Sequence, residues 1–298
     1  MHGEQMSVGI IGATNLVGQC LLPLLAADCR VIAFSDQPRN FQTEADNIVW
    51  RYLDKSSSCD LDDADSTREE ILQWVSLGQI WVLPDYFPML QRYGIKRIVA
   101  LSSTSRFVKI LSCDPTERSI AEKLADGEDR LMVWAETNKI EWTILRPTLI
   151  YGLAGDKNIV EIARFIRRFS FFPLFGHAGG LRQPVHCQDI AACCFSALNN
   201  RLAINKSYNV SGGEVLTFRE MVLRVFKAMG KSPRFIKVPL WIFKTAIGFI
   251  KFSKRFRHWS FAMAKRTSED LVFDHSDAAR ELGFNPRPFT LTSIDLPR

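Results

Sequence analysis

The stretch Gly12-Ala13-Thr14-Asn15-Leu16-Val17-Gly18 decides the fold of this chain. It follows an apolar run, Ser7-Val8-Gly9-Ile10-Ile11, that predicts a strand, and it precedes Gln19-Cys20-Leu21-Leu22, which is typical of a helix. A strand that enters a glycine turn and then a helix presents unpaired N–H groups and the positive dipole end of that helix to an anion. The stretch therefore predicts a site for the pyrophosphate of a dinucleotide.

Three positions of this loop carry the prediction. Gly12 permits the tight turn, and Gly18 permits close packing of the helix on the strand. Asn15 stands where a glycine would let the backbone approach the pyrophosphate, and asparagine tolerates positive φ better than most residues. We expect the turn to persist with a side chain near the phosphates; a strand–turn–helix without a ligand is the alternative. The candidate cofactor-binding residues here are Gly12, Thr14, Asn15, Leu16, Val17 and Gly18.

Apolar runs alternate with helical patterns through the first half of the chain. After the first strand we predict five more, at residues 30–34, 47–52, 79–83, 96–101 and 141–146. This alternation indicates a parallel sheet covered on both faces, an α/β doubly wound (Rossmann) fold. The pattern changes after residue 150. We therefore expect a nucleotide-binding domain at 1–150 and a smaller, mainly substrate-binding part at 151–298, with a segment near 184–211 returning to the main sheet.

The end of the second strand bears on the choice of cofactor. A carboxylate there would bond the ribose hydroxyls of NAD, whereas an arginine would accept the 2′-phosphate of NADP. Ser35 stands at the expected position, Asp36 comes one residue late, and Arg39 is near. The sequence leaves the choice between NAD and NADP open.

Composition narrows the classes of protein. The chain has 298 residues, 47% of them hydrophobic, and a net charge of +6, which suits an anionic ligand. No helix-turn-helix, zinc-finger or RNP signature accompanies that charge, so we expect no nucleic-acid partner. The seven cysteines show no CxxC spacing and predict reduced thiols. We recognise no signal peptide and no uncharged apolar run of the ~18 residues that a membrane span needs, and we expect a cytoplasmic protein.

Five further segments match, in chain order, motifs of one family. Together with the glycine loop they resemble the extended branch of the short-chain dehydrogenase/reductases, the NAD-dependent epimerase/dehydratase family. The resemblance implies NAD or NADP and hydride transfer on a nucleotide-sugar or a similar carbonyl or alcohol substrate. The segments are Val-Ala-Leu-Ser-Ser-Thr at 99–104, Leu-Arg-Pro-Thr-Leu-Ile-Tyr-Gly at 145–152, 183–191, 208–214 and Glu-Leu-Gly-Phe-Asn-Pro at 281–286.

The resemblance also assigns roles to residues. Thr104 corresponds to the hydroxyl that holds the substrate oxygen, although a polar cap at a strand end is the plain alternative. His186 and Asp189 are expected to be structural and to join the two domains. The implied cofactor contacts beyond the glycine loop are Ser102, Ser103, Arg146, Pro147 and Thr148.

The catalytic pair of the family is missing. Its Tyr-x-x-x-Lys lies on the helix after the fifth strand, where the lysine lowers the tyrosine pKa so that the phenol can exchange a proton. One alignment gives Ser119-x-x-x-Lys123, and a serine has no accessible pKa near neutrality. Another matches Glu128 to a glutamate that often follows the pair, which puts Ile120 and Leu124 in the two positions. Lys123 is therefore either the retained lysine or a solvated helix residue.

Other candidates lie in the second half of the chain. Tyr151, at the mouth of the sixth strand, is an alternative acid. Arginines could clamp a diphosphate by paired hydrogen bonds, or else belong to a solvated helix face. These substrate-binding candidates are Arg164, Arg167, Arg168 and Arg182. No cluster of residues has the spacing of metal ligands.

The segment 241–259 mixes aromatic residues with lysines and arginines. Such a pattern suits a helix in a membrane interface, or a helix packed on the substrate-binding part with its charged heads in water. The oligomeric state is left open, and a dimer is compatible with the sequence. The leading hypothesis is an NAD(P)-dependent oxidoreductase or epimerase. The alternative, favoured by the missing tyrosine, is a dinucleotide-binding sensor, scaffold or assembly protein without turnover.

Overall fold

The computed structural model describes residues 7–35, 47–53, 70–239 and 261–297. Its main sheet consists of β1 (Ser7–Ile11), β2 (Arg30–Ser35), β3 (Ile48–Tyr52), β4 (Gln73–Ser76), β5 (Arg97–Leu101), β6 (Glu141–Pro147) and β11 (Lys206–Val210). These strands lie in the order β3-β2-β1-β4-β5-β6-β11. Every neighbouring pair is parallel. The predicted doubly wound α/β fold is confirmed.

Shorter strands form two-stranded pairs outside the main sheet. They are β7 (Ile150–Tyr151) with β10 (Val185–His186), β8 (Phe172–Phe175) with β13 (Phe235–Val238), and β9 (Leu181–Arg182) with β12 (Leu216–Thr217). The described α-helices are α1 (Leu16–Ala26), α2 (Phe87–Arg92), α3 (Ser105–Val108), α4 (Pro115–Thr137), α5 (Ile159–Phe169), α6 (Cys187–Asn199), α7 (Phe218–Ala228), α8 (Phe261–Arg266) and α9 (Ser276–Leu282). Short 3-10 helices cover Leu83–Tyr86, Lys109–Leu111, Arg201–Ala203 and Ser293–Asp295.

Three apolar clusters hold these layers together. Helices α1 and α6 bury their apolar sides on one face of the main sheet, and α4 covers the other face. Residues of α5, α7 and β8 form a third cluster in the second half of the chain. Because both faces of the sheet are covered, its strands are apolar along their length rather than alternating, which is why they could be recognised in the sequence.

The fourth predicted strand, at residues 79–83, is wrong. The strand that pairs with β1 on the side away from β2 is β4. Residues 79–83 form a turn that leads into the 3-10 helix Leu83–Tyr86. Ile80 and Leu83 are buried at a spacing of three residues, and Pro84 occupies the first turn of that helix. A spacing of three and a proline at a helix start both indicate helical backbone rather than strand.

The chain order places a topological switch point between β1 and β4. Strand β1 continues through α1 to β2 on one side, whereas β4 lies on its other side. In open α/β sheets, ligands bind at such a point, outside the carboxyl ends of the strands. The glycine loop follows the carboxyl end of β1, so the fold itself directs attention to this edge.

Candidate functional site

The backbone geometry of the glycine loop explains why positions 12 and 18 are glycine. Gly12 has a φ of 78°, and a Cβ on this residue would lie 3.0 Å from the backbone nitrogen of Gly78. A Cβ on Gly18 would lie 2.2 Å from the carbonyl oxygen of Ala13, far inside van der Waals contact. The loop therefore tolerates no side chain at Gly18 and only a strained one at Gly12.

Asn15 plays a different part from the one expected. Its φ is −74°, so the turn does not require the positive φ that asparagine tolerates. Its side-chain oxygen accepts a hydrogen bond from the Gly18 N–H at 2.8 Å, and its amide nitrogen donates to the carbonyl of Leu77 at 2.7 Å. Asn15 is the N-cap of α1, a position that asparagine favours, and it ties the glycine loop to the end of β4.

A cleft of about 480 Å³ opens beside the N-terminus of α1. The glycine loop forms one wall, and the segment after β7 forms the other. The Leu16 and Val17 N–H groups belong to the first helical turn, where α-helix geometry provides no internal acceptor. The cleft is lined by Thr14, Asn15, Leu16, Gln19, Ile150, Leu153, Gly155, Asp156, Lys157 and Asn158.

The residues expected to choose between NAD and NADP are described only in part. Ser35 ends β2, is buried, and follows Phe34, whose carbonyl accepts the N–H of Gly12 at 3.2 Å. Ser35 therefore lies next to the glycine loop. Asp36 and Arg39 lie outside the described residues, as does the segment 241–259.

A buried carboxylate organises the edge beyond β5 and β6. Glu128 of α4 is fully buried and accepts hydrogen bonds from Ser102, which follows β5, and from Arg146 near the end of β6. The shortest of the Arg146 contacts is 2.6 Å. Arg106 of α3 also donates to Glu128. One carboxylate thus holds two guanidinium groups, which leaves an excess positive charge at this edge.

Phe107 closes this cluster on the outside. The guanidinium carbons of Arg106 and Arg146 each lie 5.4 Å from its ring centre, within the range of cation–π attraction. The ring is 41% exposed and also contacts Phe273. The charged cluster therefore has an aromatic side chain at its boundary with solvent.

The catalytic candidate Thr104 and the cofactor candidates Ser103 and Thr148 form hydrogen bonds with the backbone. Thr104 is buried, and its hydroxyl donates to the carbonyl of Pro147 at 3.2 Å. The Ser103 hydroxyl accepts from the Ser105 N–H, and the Thr148 hydroxyl donates to the carbonyl of Gln183. These hydroxyls join the ends of β5 and β6 to neighbouring backbone.

Helix α4 carries the positions that both alignments of the catalytic pair single out. Leu124, one turn before Glu128, is buried, and Ile120 is half-buried. Lys123 is exposed to solvent. Because Glu128 reaches Ser102 and Arg146, the geometry favours the alignment that puts Ile120 and Leu124 in the two positions.

Tyr151 lies in the interior of the second half of the chain. Its side chain is fully buried, edge-on to the rings of His186 and Phe289, and its hydroxyl accepts from the Thr290 N–H at 3.4 Å. Burial raises the pKa of Tyr151 to about 12. Such a phenol is neutral at physiological pH and shielded from solvent, as expected for a packing residue.

The four arginines proposed for substrate binding separate into two groups. Arg182 is buried and donates to the carbonyls of Leu181, Glu269 and Arg266, and burial lowers its pKa to about 10. It supports the backbone. The remaining three are exposed on α5 and do not line the glycine-loop cleft: Arg164, Arg167 and Arg168.

Three simpler expectations can be compared with the described part of the chain. No group of three or more His, Cys, Asp or Glu residues there could hold a metal ion. Six cysteines are described, all as free thiols, and five are buried. None of the helices in the described ranges is long and apolar enough to cross a membrane.

Arg106, Phe107 and the role of Glu128 were missed by sequence reasoning. One signal for Glu128 was available, because buried residues of α4 recur at Ala121, Leu124, Leu131 and Ala135 with Glu128 on the same face. A carboxylate on an apolar helix face must be paired or hydrogen-bonded. No pattern in the sequence identified Arg106 as a partner.

The geometry defines the class of protein: an α/β protein with a glycine-loop cleft at the switch point of a doubly wound sheet. Solved structures agree. A dTDP-glucose 4,6-dehydratase from Bacillus anthracis, in complex with NAD, superimposes with a TM-score of 0.68 at 12% identity, covering 96% of this chain and 92% of that one. A UDP-glucose 4-epimerase with UDP-glucose from Thermotoga maritima gives 0.63 at 15% identity, covering 94% of each. The resemblance to the epimerase/dehydratases is thus confirmed at the level of the fold.

Sequence comparison gives matches that cover only part of each chain. No family model matches the chain. NADH dehydrogenase (ubiquinone) 1 alpha subcomplex subunit 9, mitochondrial, of Arabidopsis thaliana is 30% identical over 105 residues, 35% of this chain and 26% of that protein. UDP-glucose 4-epimerase of Vibrio cholerae is 25% identical over 167 residues, 56% of this chain and 48% of that enzyme. The chain therefore matches less than half the length of these curated relatives.

Proposed function

We propose that this protein binds NAD or NADP at the carboxyl edge of its main sheet, with the pyrophosphate at the N-terminus of α1. The observation that carries the proposal is the packing at Gly18, where a single added carbon would lie 2.2 Å from the Ala13 carbonyl oxygen. This close approach brings the helix terminus against the strand end beside an open cleft. The dehydratase that shares the fold was solved in complex with NAD.

The residues around the cleft fit a pyrophosphate. The first-turn N–H groups of Leu16 and Val17 supply donors at the positive end of the helix dipole. Thr14 and Lys157 line the same cleft, as does Asp156, whose carboxylate accepts hydrogen bonds from the N–H groups of Asn158 and Ile159. When bound, the nicotinamide would supply a group that accepts or donates a hydride. Asn15 holds the loop by capping α1, so its effect on the phosphates is exerted through the backbone.

We propose further that the protein works as a dinucleotide-binding protein, a sensor, scaffold or assembly factor, without the tyrosine-dependent turnover of the epimerases. Three observations support this. Lys123 is exposed, Tyr151 is fully buried, and the Thr104 hydroxyl donates to the Pro147 carbonyl. A curated relative is named as a subunit of an NADH dehydrogenase, which is consistent with a role inside an assembly.

A hydride-transferring oxidoreductase acting on a nucleotide-sugar or a similar carbonyl substrate is the second candidate. It is favoured by relatives named as a UDP-glucose 4-epimerase and a divinyl chlorophyllide a 8-vinyl-reductase, the latter 26% identical over 160 residues. In this case the proton would come from a group other than a tyrosine of α4, because Pro115–Thr137 contains none.

Titration of the full chain with NADH and with NADPH, followed by nicotinamide fluorescence, tests the binding proposal. We expect saturable binding of at least one of the two, with competition by the corresponding oxidised cofactor. Gly18→Val should abolish that signal, since the larger side chain separates the helix from the strand. If neither cofactor binds, or if Gly18→Val binds as well as the wild type, the glycine loop is not a phosphate site.

A further inference from the structure

Two segments in the second half of the chain carry cations and no carboxylates. Residues 221–268 contain no Asp or Glu, while Lys or Arg recurs throughout them. Residues 162–175 likewise contain no Asp or Glu and include Arg164, Arg167 and Arg168. In a chain with 32 acidic residues, such long acid-free stretches concentrate positive charge in two parts of the sequence.

The fold brings the described parts of these two segments together. Strand β13 pairs in parallel with β8, and the Phe172 N–H donates to the carbonyl of Arg234 at 2.8 Å. The ammonium group of Lys231 donates to the carbonyls of Ile166 and Arg167, at 3.3 and 3.2 Å, at the C-terminal end of α5. The end of α5 and strand β13 therefore lie side by side at the surface, although about 65 residues separate them in sequence. Successive side chains of β13 point to opposite sides of this two-stranded sheet, so Ile236 and Lys237 lie on either side of its edge.

This surface exposes both charge and apolar area. Its cations are Arg167, Arg168, Arg234 and Lys237, all exposed. Its large apolar side chains are Phe169, 38% exposed, and Ile236, 50% exposed. We call these six residues the basic-aromatic face.

The charges of the basic-aromatic face are not neutralised locally. Glu161 pairs with Arg164, one turn before the face. In the ranges that the structure describes, no salt bridge involves Arg168, Arg234 or Lys237. Arg168 instead lies over the Phe169 ring, at 5.5 Å from its centre. The face therefore keeps a net positive charge.

We propose that the basic-aromatic face docks on the surface of a membrane that contains anionic lipids. Exposed cations around apolar side chains suit an interface, because the apolar groups enter the headgroup boundary while the cations pair with lipid phosphates. The long Arg and Lys stems can lie along that boundary with their charged ends in water. In this proposal Arg167 and Arg168 contact lipid headgroups rather than a soluble diphosphate.

A nucleic acid is the competing partner for a basic surface with aromatic rings. Proteins that bind single strands stack bases on open aromatic faces. Here Phe169 packs instead against Phe165 and Phe171, with ring centres 4.6 and 6.2 Å apart, and the remaining apolar contribution comes from the aliphatic Ile236. These contacts favour lipid. The proposal does not depend on cofactor binding, because none of the six residues lines the glycine-loop cleft.

The experiment is flotation of the full chain with vesicles of phosphatidylcholine alone or with about 30% phosphatidylglycerol. We expect binding only to the anionic vesicles, and less of it as salt is raised. The double variant Arg168→Gln/Lys237→Gln should bind about 25-fold more weakly, since each cation near an anionic surface contributes about fivefold. Lys96→Gln/Lys139→Gln is the matched control: it removes the same charge from exposed lysines next to the amino ends of β5 and β6, and should bind like the wild type.

A further variant, Ile236→Ser, tests the apolar contribution and should also weaken vesicle binding. Circular dichroism of each variant shows whether it is folded. The proposal is overturned if the wild type does not float with anionic vesicles, or if the control pair loses as much binding as the Arg168/Lys237 pair. It is also overturned if a poly(U) oligonucleotide binds the basic-aromatic face and the vesicles do not, which would assign the face to nucleic acid.

Discussion

The two halves of the carboxyl edge of the main sheet differ: one has the geometry of a glycine loop beside a cleft, and the other is occupied by a buried ion-pair cluster. Around β1 and α1, the loop retains Gly12 and Gly18 in positions where a side chain would clash or be strained, beside an open cleft. In the region of β5, β6 and α4, the apolar residues Ile120 and Leu124 lie on α4. The Glu128 carboxylate there forms salt bridges with Arg106 and Arg146. If the proposed function holds, the difference teaches that the glycine loop can keep the geometry of a phosphate site while α4 lacks a tyrosine for acid–base chemistry.

The largest effect is expected where Glu128 loses its charge. Glu128→Gln leaves the Arg106 and Arg146 guanidinium groups, both mostly buried, without a carboxylate. Removing one partner of a buried ion pair costs about 3 kcal/mol or more of unfolding free energy. Urea unfolding measures it, and Glu122→Gln, at an exposed position of the same helix, is the control. A loss of stability equal to that of the control would remove Glu128 as the anchor of this half.

Gly18→Ala is the corresponding change on the cofactor half. The added Cβ would lie 2.2 Å from the Ala13 carbonyl oxygen, so the start of α1 must shift. We expect NADH affinity to fall about 100-fold, equivalent to about 2.7 kcal/mol. Gly179→Ala is the matched control, because a Cβ there has nothing within 4 Å. Equal NADH affinity in the two variants would show that the close approach at Gly18 does not shape the site.

The pH dependence of stability distinguishes a buried packing tyrosine from an active-site acid. Burial raises the pKa of Tyr151 from 10.0 to about 12, so the folded state favours the neutral phenol. Its contribution is complete below pH 10 and is lost as the pH rises towards 12. Wild type should therefore lose about 2 kcal/mol relative to Tyr151→Phe over that range, measured by urea unfolding at each pH. Parallel curves for the two proteins would place Tyr151 in contact with solvent.

A smaller effect is expected at Asn15, the residue that departs from the glycine pattern. Asn15→Ala removes the cap on the Gly18 N–H and the hydrogen bond to Leu77, and should cost about 1–2 kcal/mol of unfolding free energy. Asn158→Ala is the control, since Asn158 precedes α5 but makes no side-chain cap bond. Thermal unfolding compares the two. If both variants melt alike, the capping contact contributes nothing measurable.

The fold and the position of the glycine loop could be predicted from the sequence, because both depend on local sequence patterns. Buried parallel strands are continuous apolar runs, and the loop lies between such a strand and a helix. Residues 79–83 are also apolar, so their pattern predicted a strand. Pro84 lies in the first turn of a 3-10 helix, and this helix start overrides the apolar pattern. The cluster around Glu128 joins α4 to residues that follow β5 and lie on β6, so it depends on tertiary contacts that no local pattern contains. Asn15 was expected to affect the turn through positive φ, whereas its actual contribution is the cap.

One measurement tests the central claim, that cofactor binding is kept and tyrosine-dependent hydride transfer is not. The protein is loaded with the reduced cofactor that binds it, mixed with excess keto-sugar nucleotides, and the nicotinamide absorbance is followed through a single turnover. We predict that the cofactor stays bound and reduced across the panel. Stoichiometric oxidation of the bound cofactor by any of these substrates would contradict the claim and identify the protein as an oxidoreductase.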